Sequence, residues 1–219
     1  DALPAPDSTD VPTDTVIRVA FNRPVVPLAS VQAQTALTNP LQITPALRGQ
    51  GRWVNTSIFV FEPSEPMAPG TRYAVSVAAG LSSTSGAALT EEYRWSFMTQ
   101  LPGVMSIQPP NNARHVSPST GIRVTFNQPM QRESVQKEFA LVKQGSQASI
   151  PGRYAWISNT LYFTPTQPLE NGALYTIRIQ KGAQAATGSS SLPQTVQSQF
   201  RVAEIPAVTS FTPREGDTD

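Results

Sequence analysis

Few residues of this sequence have the type and spacing for chemistry. His115 is the only histidine, and there is no cysteine. Disulfides, thiolate catalysis and cysteine-based zinc sites are therefore excluded. Any serine–histidine–aspartate site would have to use His115, which sits in the polar run Asn111-Asn112-Ala113-Arg114-His115 and reads as a solvated loop residue. Acidic residues cluster as Asp7, Asp10 and Asp14, and again as Glu215, Asp217 and Asp219. Oxygen ligands of this kind can hold calcium at a domain junction, but they read more readily as solvated turns. Asn111, Asn112 and His115 stand where a third acidic group would complete the series. Glu91 and Glu92 near Arg94 read as a surface charge cluster. Trp53, Trp95 and Trp156, with Tyr154 and Tyr162, form either a carbohydrate platform or core packing, since a tryptophan buries a large area. Trp53 and Trp156 do not align in the reading below, which puts at least one outside a shared core. Asn55-Thr56-Ser57 is formally a glycosylation sequon.

What must position these residues is a repeat. Ile17-Arg18-Val19-Ala20-Phe21-Asn22-Arg23-Pro24-Val25 returns 105 positions later as Ile122-Arg123-Val124-Thr125-Phe126-Asn127-Gln128-Pro129-Met130. Two copies of one unit follow from such a match. In both, alternate apolar residues (Ile17, Val19, Phe21; Ile122, Val124, Phe126) mark one inward strand face, and the proline ends the strand. Ile58–Pro63 matches Thr160–Pro165, and Pro66–Tyr73 matches Pro168–Tyr175. Gly70 and Gly172 belong in turns of positive φ. Tyr73 and Tyr175 open strands, where the hydroxyl either ties back to the preceding backbone as a tyrosine corner or rests half-buried at the rim. Gly51-Arg52-Trp53 is aligned with Gly152-Arg153-Tyr154. Ser30–Leu37 and Arg132–Glu138 have the composition of short helical turns. Leu41 and Ile43, and Phe139 and Leu141, begin strands. Residues 1–14, rich in proline and aspartate, form an extended lead-in. His115 aligns with Asp10, and an active site in one copy should differ from the other at more than a single loop position.

The 219 residues carry 16 basic and 15 acidic side chains, a net charge of +1. No basic stripe marks a nucleic-acid partner. No apolar run is long enough to span a membrane. The 21 prolines and 13 glycines fit short strands joined by tight turns. No signal-peptide pattern is present, and the abrupt ends read as those of a segment from a longer chain. About seven strand signals per copy, at sandwich spacing, predict an all-β chain of tandem immunoglobulin-like β-sandwiches. The expected division is domain one at 1–100, domain two at 104–204, and the start of a third copy at 207–219, where Ser210-Phe211-Thr212-Pro213 repeats Ser106-Ile107-Gln108-Pro109.

Val11-Pro12, Phe21–Val25, Phe59–Pro63, Pro66–Val75 and Trp95–Phe97, with Val116, Phe126–Met130, Leu161–Pro165, Pro168–Ile177 and Phe200 in copy two, resemble the bacterial Ig-like domain of surface-layer proteins. Copy two departs at Ser198, where copy one has Trp95, and at Ser117-Pro118. The resemblance implies a secreted or surface setting, a spacer or adhesion role, and no catalytic residues. Val19–Leu28 and Asn55–Phe61 further resemble the N-terminal Ig-like region of bacterial alpha-2-macroglobulin-like protease traps. Those carry a thioester far downstream, and this cysteine-free chain cannot hold one. The expectation is a non-catalytic spacer or interaction module of a large extracytoplasmic bacterial protein. Its anticipated partners are other domains of the same chain, and target proteases or cell-surface polymers. A surface adhesin or carbohydrate-binding segment is the alternative. No catalytic, cofactor or metal residue is assigned.

Overall fold

The computed structural model describes residues 1–27 and 37–206. The expected third copy, and Ser30–Ala36 of the first expected helical turn, lie outside them. Copy one contains β1 (Ala2–Leu3), β2 (Ser8–Val11), β3 (Ile17–Ala20), β4 (Leu41–Thr44), β5 (Gly49–Trp53), β6 (Ile58–Pro63), β7 (Arg72–Val77) and β8 (Tyr93–Thr99). Copy two contains β9 (Val104–Gln108), β10 (Ala113–Val116), β11 (Ile122–Phe126), α1 (Arg132–Glu138), β12 (Phe139–Lys143), β13 (Gly152–Ile157), β14 (Thr160–Pro165), β15 (Leu174–Ile179) and β16 (Val196–Val202).

Each copy folds as two four-stranded sheets. In the first copy the orders are β1-β3-β6-β5 and β2-β8-β7-β4. The second copy repeats both, as β9-β11-β14-β13 and β10-β16-β15-β12. This is the immunoglobulin arrangement, with the first strand divided between the sheets. The lead-in is thus more than extended chain: β1 pairs antiparallel with β3 and β2 pairs parallel with β8. The division explains why about seven strand signals became eight strands.

The alternation seen in the sequence is the alternation of burial. Ile17, Val19, Phe59, Phe61, Tyr73, Val75, Val77 and Phe97 fill one core, and their counterparts Ile122, Val124, Leu161, Phe163, Tyr175, Ile177, Ile179 and Phe200 the other. Between copies, Trp95 and Ser198 occupy one buried position, and Ser198 Oγ donates to Pro109 O at 3.3 Å. In α1 Val135 is buried, and Glu133 and Lys137 lie at the ends the helix dipole favours.

The turn before β7 and β15 sets both tyrosines. Gly70 and Gly172 take φ of +59° and +71°, which a Cβ would disfavour. The Tyr73 hydroxyl accepts the Ala68 N–H at 3.0 Å, and the Tyr175 hydroxyl accepts the Glu170 N–H at 3.0 Å. Both are tyrosine corners. Both rings are buried and stacked at 5.8 Å or closer on the neighbouring phenylalanine, Phe97 or Phe200. Tyr73→Phe and Tyr175→Phe each strand one backbone donor, so each should cost about 1–3 kcal/mol. Thermal unfolding should show the loss only in the copy that carries the change.

Candidate functional site

The residues singled out for chemistry do not converge. Asp7 and Asp10 have φ of +58° and +57°, and their counterparts Asn112 and His115 have +65° and +54°. Aspartate, asparagine and histidine are the non-glycine types that tolerate this left-handed region. Asp10 and His115 fall where β2 and β10 slip register along β8 and β16, and Asp7 and Asn112 immediately precede those strands. A backbone requirement therefore accounts for the polar residues that looked like ligand candidates. The signal was present in the sequence, as two small polar or imidazole positions repeating at one offset.

Asp7 is also engaged. Its N–H donates to Ser96 O at 2.6 Å, and Ser96 Oγ donates to its Oδ1 at 3.1 Å. Asp10, Asp14 and His115 are exposed at the surface. Among the described residues no three histidine, aspartate or glutamate side chains are grouped to hold a metal ion. Glu215, Asp217 and Asp219 lie outside them. Arg94 Nη2 donates to both carboxylate oxygens of Glu92, at 2.9 and 3.1 Å. Hydrogen bonding from Ser76 and then Arg94 holds its carboxyl below the ordinary value. This is the surface cluster expected, and pairs so exposed contribute little to stability. Asn55 forms a local turn, its Oδ1 accepting the Ser57 and Ile58 N–H groups at 2.8 Å.

The aromatic platform loses its main members. Trp53 is 1% exposed, edge-on to Phe59 at 5.3 Å and tilted on Phe21 at 5.8 Å. Trp95 is 4% exposed. Both are core residues. Cross-strand register also corrects the alignment: Gly49 faces Pro63 and Trp53 faces Phe59, while Gly152 faces Pro165 and Trp156 faces Leu161. Gly49, not Gly51, is the counterpart of Gly152, and Trp53 and Trp156 are equivalent after all. The matched glycines share a cause. A Cβ on Gly49 would meet the Phe61 ring, and one on Gly152 the Phe163 ring. Trp156 is half-buried and stacks on Phe126 at 6.1 Å, as Trp53 packs on Phe21. Tyr154, 37% exposed, leans on Phe139 and Phe163, and burial raises its phenol above the ordinary value. Tyr162 lies under the Arg123 guanidinium, 5.9 Å from the ring centre.

An open groove of about 560 Å³ in copy two is lined by Lys143, Glu170, Asn171, Arg201 and Glu204. Its charges serve the protein itself: Lys143 bonds Glu170, Arg201 donates to Gly172 O at 2.8 Å, and Asn171 Nδ2 donates to Ala203 O at 2.9 Å. In copy one an apolar cleft of about 380 Å³ lies between Phe21, Val77, Leu89 and Tyr93. Among the described residues, neither is lined by a serine, threonine, cysteine or histidine.

Two sandwiches of immunoglobulin topology, each closed by a tyrosine corner, define a tandem modular protein. The bacterial Ig-like domain model matches residues 1–99 and 98–202. The chain belongs to that family. It is 24% identical over 185 residues to an alpha-2-macroglobulin homolog of Nostoc sp., covering 78% of this chain and 10% of that protein. The chain thus spans about a tenth of that relative's length. Among solved structures, the N-terminal part of a bacterial S-layer protein matches at 21% identity and a TM-score of 0.36, over 49% of this chain and 25% of that one. L,D-transpeptidase 1 of Mycobacterium tuberculosis matches at 19% identity and a TM-score of 0.33, over 47% and 39%. Neither structural likeness bears on what this chain does.

Proposed function

We propose that this segment is a non-catalytic spacer and interaction module of a larger extracytoplasmic bacterial protein. The observation that carries the reading is where the chemically capable side chains go. Trp53 and Trp95 are spent in the cores, and Asp7, Asp10, Asn112 and His115 in a backbone conformation both copies need. No helix among the described residues is long and apolar enough to cross a membrane. The extracytoplasmic setting draws support from the family and from the alpha-2-macroglobulin relative.

The finer reading is that the segment belongs to an alpha-2-macroglobulin-like protease inhibitor, and the Nostoc relative supports it. Other domains of the same chain are its immediate partners, and target proteases its indirect ones. Treating the full-length protein with methylamine and weighing its peptides tests this. An adduct on a glutamine, with release of one thiol per chain, is the expected result. No adduct, in a chain continuing as further Ig-like copies, would make the segment part of a surface stalk.

A further inference from the structure

The most strongly repeated motif holds one residue that neither the core nor strand termination explains: the asparagine of Phe-Asn-x-Pro, at 22 and 127. In copy two its contacts are on a short stretch just before β9. Asn127 Oδ1 accepts the Gly103 N–H at 2.9 Å, and Asn127 Nδ2 donates to Leu101 O at 2.9 Å. The Asn127 N–H donates to Gly103 O at 3.0 Å. One planar amide thus bridges an acceptor and a donor two residues apart, as a backbone peptide in a ladder would. A carboxamide carries its donor and its acceptor on one planar carbon, spaced as in a backbone peptide. Aspartate lacks the donor, and alanine lacks both. Pro102, between the two latched residues, has no N–H to satisfy. Immediately upstream, Gln100 donates its N–H to Val11 O at 2.9 Å and accepts the Gly70 N–H at 3.1 Å.

We propose that Asn127 is a latch that fixes residues 101–103, the stretch between the two expected domains. The latch stands on geometry and does not depend on the spacer reading.

Amide hydrogen exchange at Gly103 and limited thermolysin cleavage of the Gly103–Val104 bond test it in the intact 219-residue chain. Asn127→Ala should speed Gly103 exchange about tenfold or more by allowing residues 101–103 to open locally, and should speed thermolysin cleavage before Val104. Core amides such as Val124 and Ile177 should keep their protection. Asn127→Asp keeps the acceptor and loses the donor, so it should hold Gly103 protected while releasing Leu101. Should the alanine variant fail to fold, the aspartate variant still decides. Unchanged exchange and cleavage would overturn the proposal. Protection lost throughout copy two in both variants would also overturn it, because Asn127 would then be a residue of the fold and not of the linker.

Discussion

Replacing Trp53 by alanine is expected to remove about 3–5 kcal/mol from the first sandwich, the range for truncating a buried large aromatic, and to leave the second untouched. The ring is 1% exposed, lies at the end of β5 against Phe59 and Phe21, and its Nε1 donates to Thr38 O at 3.4 Å. Truncation opens a cavity and leaves that carbonyl without its partner. Trp156→Ala, at the equivalent place in β13, should cost less, because Trp156 is only half-buried. Denaturant unfolding monitored separately for each copy decides. Equal costs for the two would mean that the half-exposed indole carries as much packing as the buried one. The expectation also disqualifies Trp53→Ala as a test of glycan binding, since any lost binding would report an unfolded module.

The strands whose inward face repeats were legible in the sequence. Ile17, Val19, Ile122 and Val124 are apolar because the core requires it in both copies, so alternation and repeat report the same constraint. Gly70, Gly172, Tyr73 and Tyr175 were legible for a related reason: a turn with positive φ and the hydroxyl that closes it leave few choices of residue. The edge strands β5 and β13 were not. Glycine recurs at 49 and 51, a Cβ on either would meet a phenylalanine ring, Phe61 or Phe59, and only the cross-strand register picks out Gly49 as the counterpart of Gly152. A ring lying across from a neighbouring strand cannot be placed before register is known, and the alignment slipped by two residues there. The first strand was misread as lead-in because its hydrogen bonds are divided between two sheets, which no local period records. Asp7, Asp10, Asn112 and His115 misled in another way. Residue type carried a conformational message, and the same atoms are those that bind metals and move protons. Position within the repeat separates the two meanings, since a site would not need a left-handed residue at matching points of both copies.

Phe126→Ala is the second change with a large expected effect, about 3–5 kcal/mol from the second sandwich. Phe126 ends β11 at 1% exposure and stacks on Trp156. Phe21 is its partner in the repeat, and sequence alone gives the two equal weight. The structure does not, because Phe21 is half-buried at the rim of the cleft that Val77, Leu89 and Tyr93 also line. Around Phe126 the corresponding loop residue Leu192 is 3% exposed, and Met130, the counterpart of Val25, is 6% exposed. Phe21→Ala should therefore cost about 1–3 kcal/mol, since less apolar area returns to water. Calorimetry of the intact chain reads both. Each kcal/mol should lower the midpoint of the affected copy by roughly 4–8 °C for a domain of this size, with the other transition standing still. A single transition that moves as one in either variant would show that the copies do not unfold as separate units, and the repeat would then describe ancestry without describing stability.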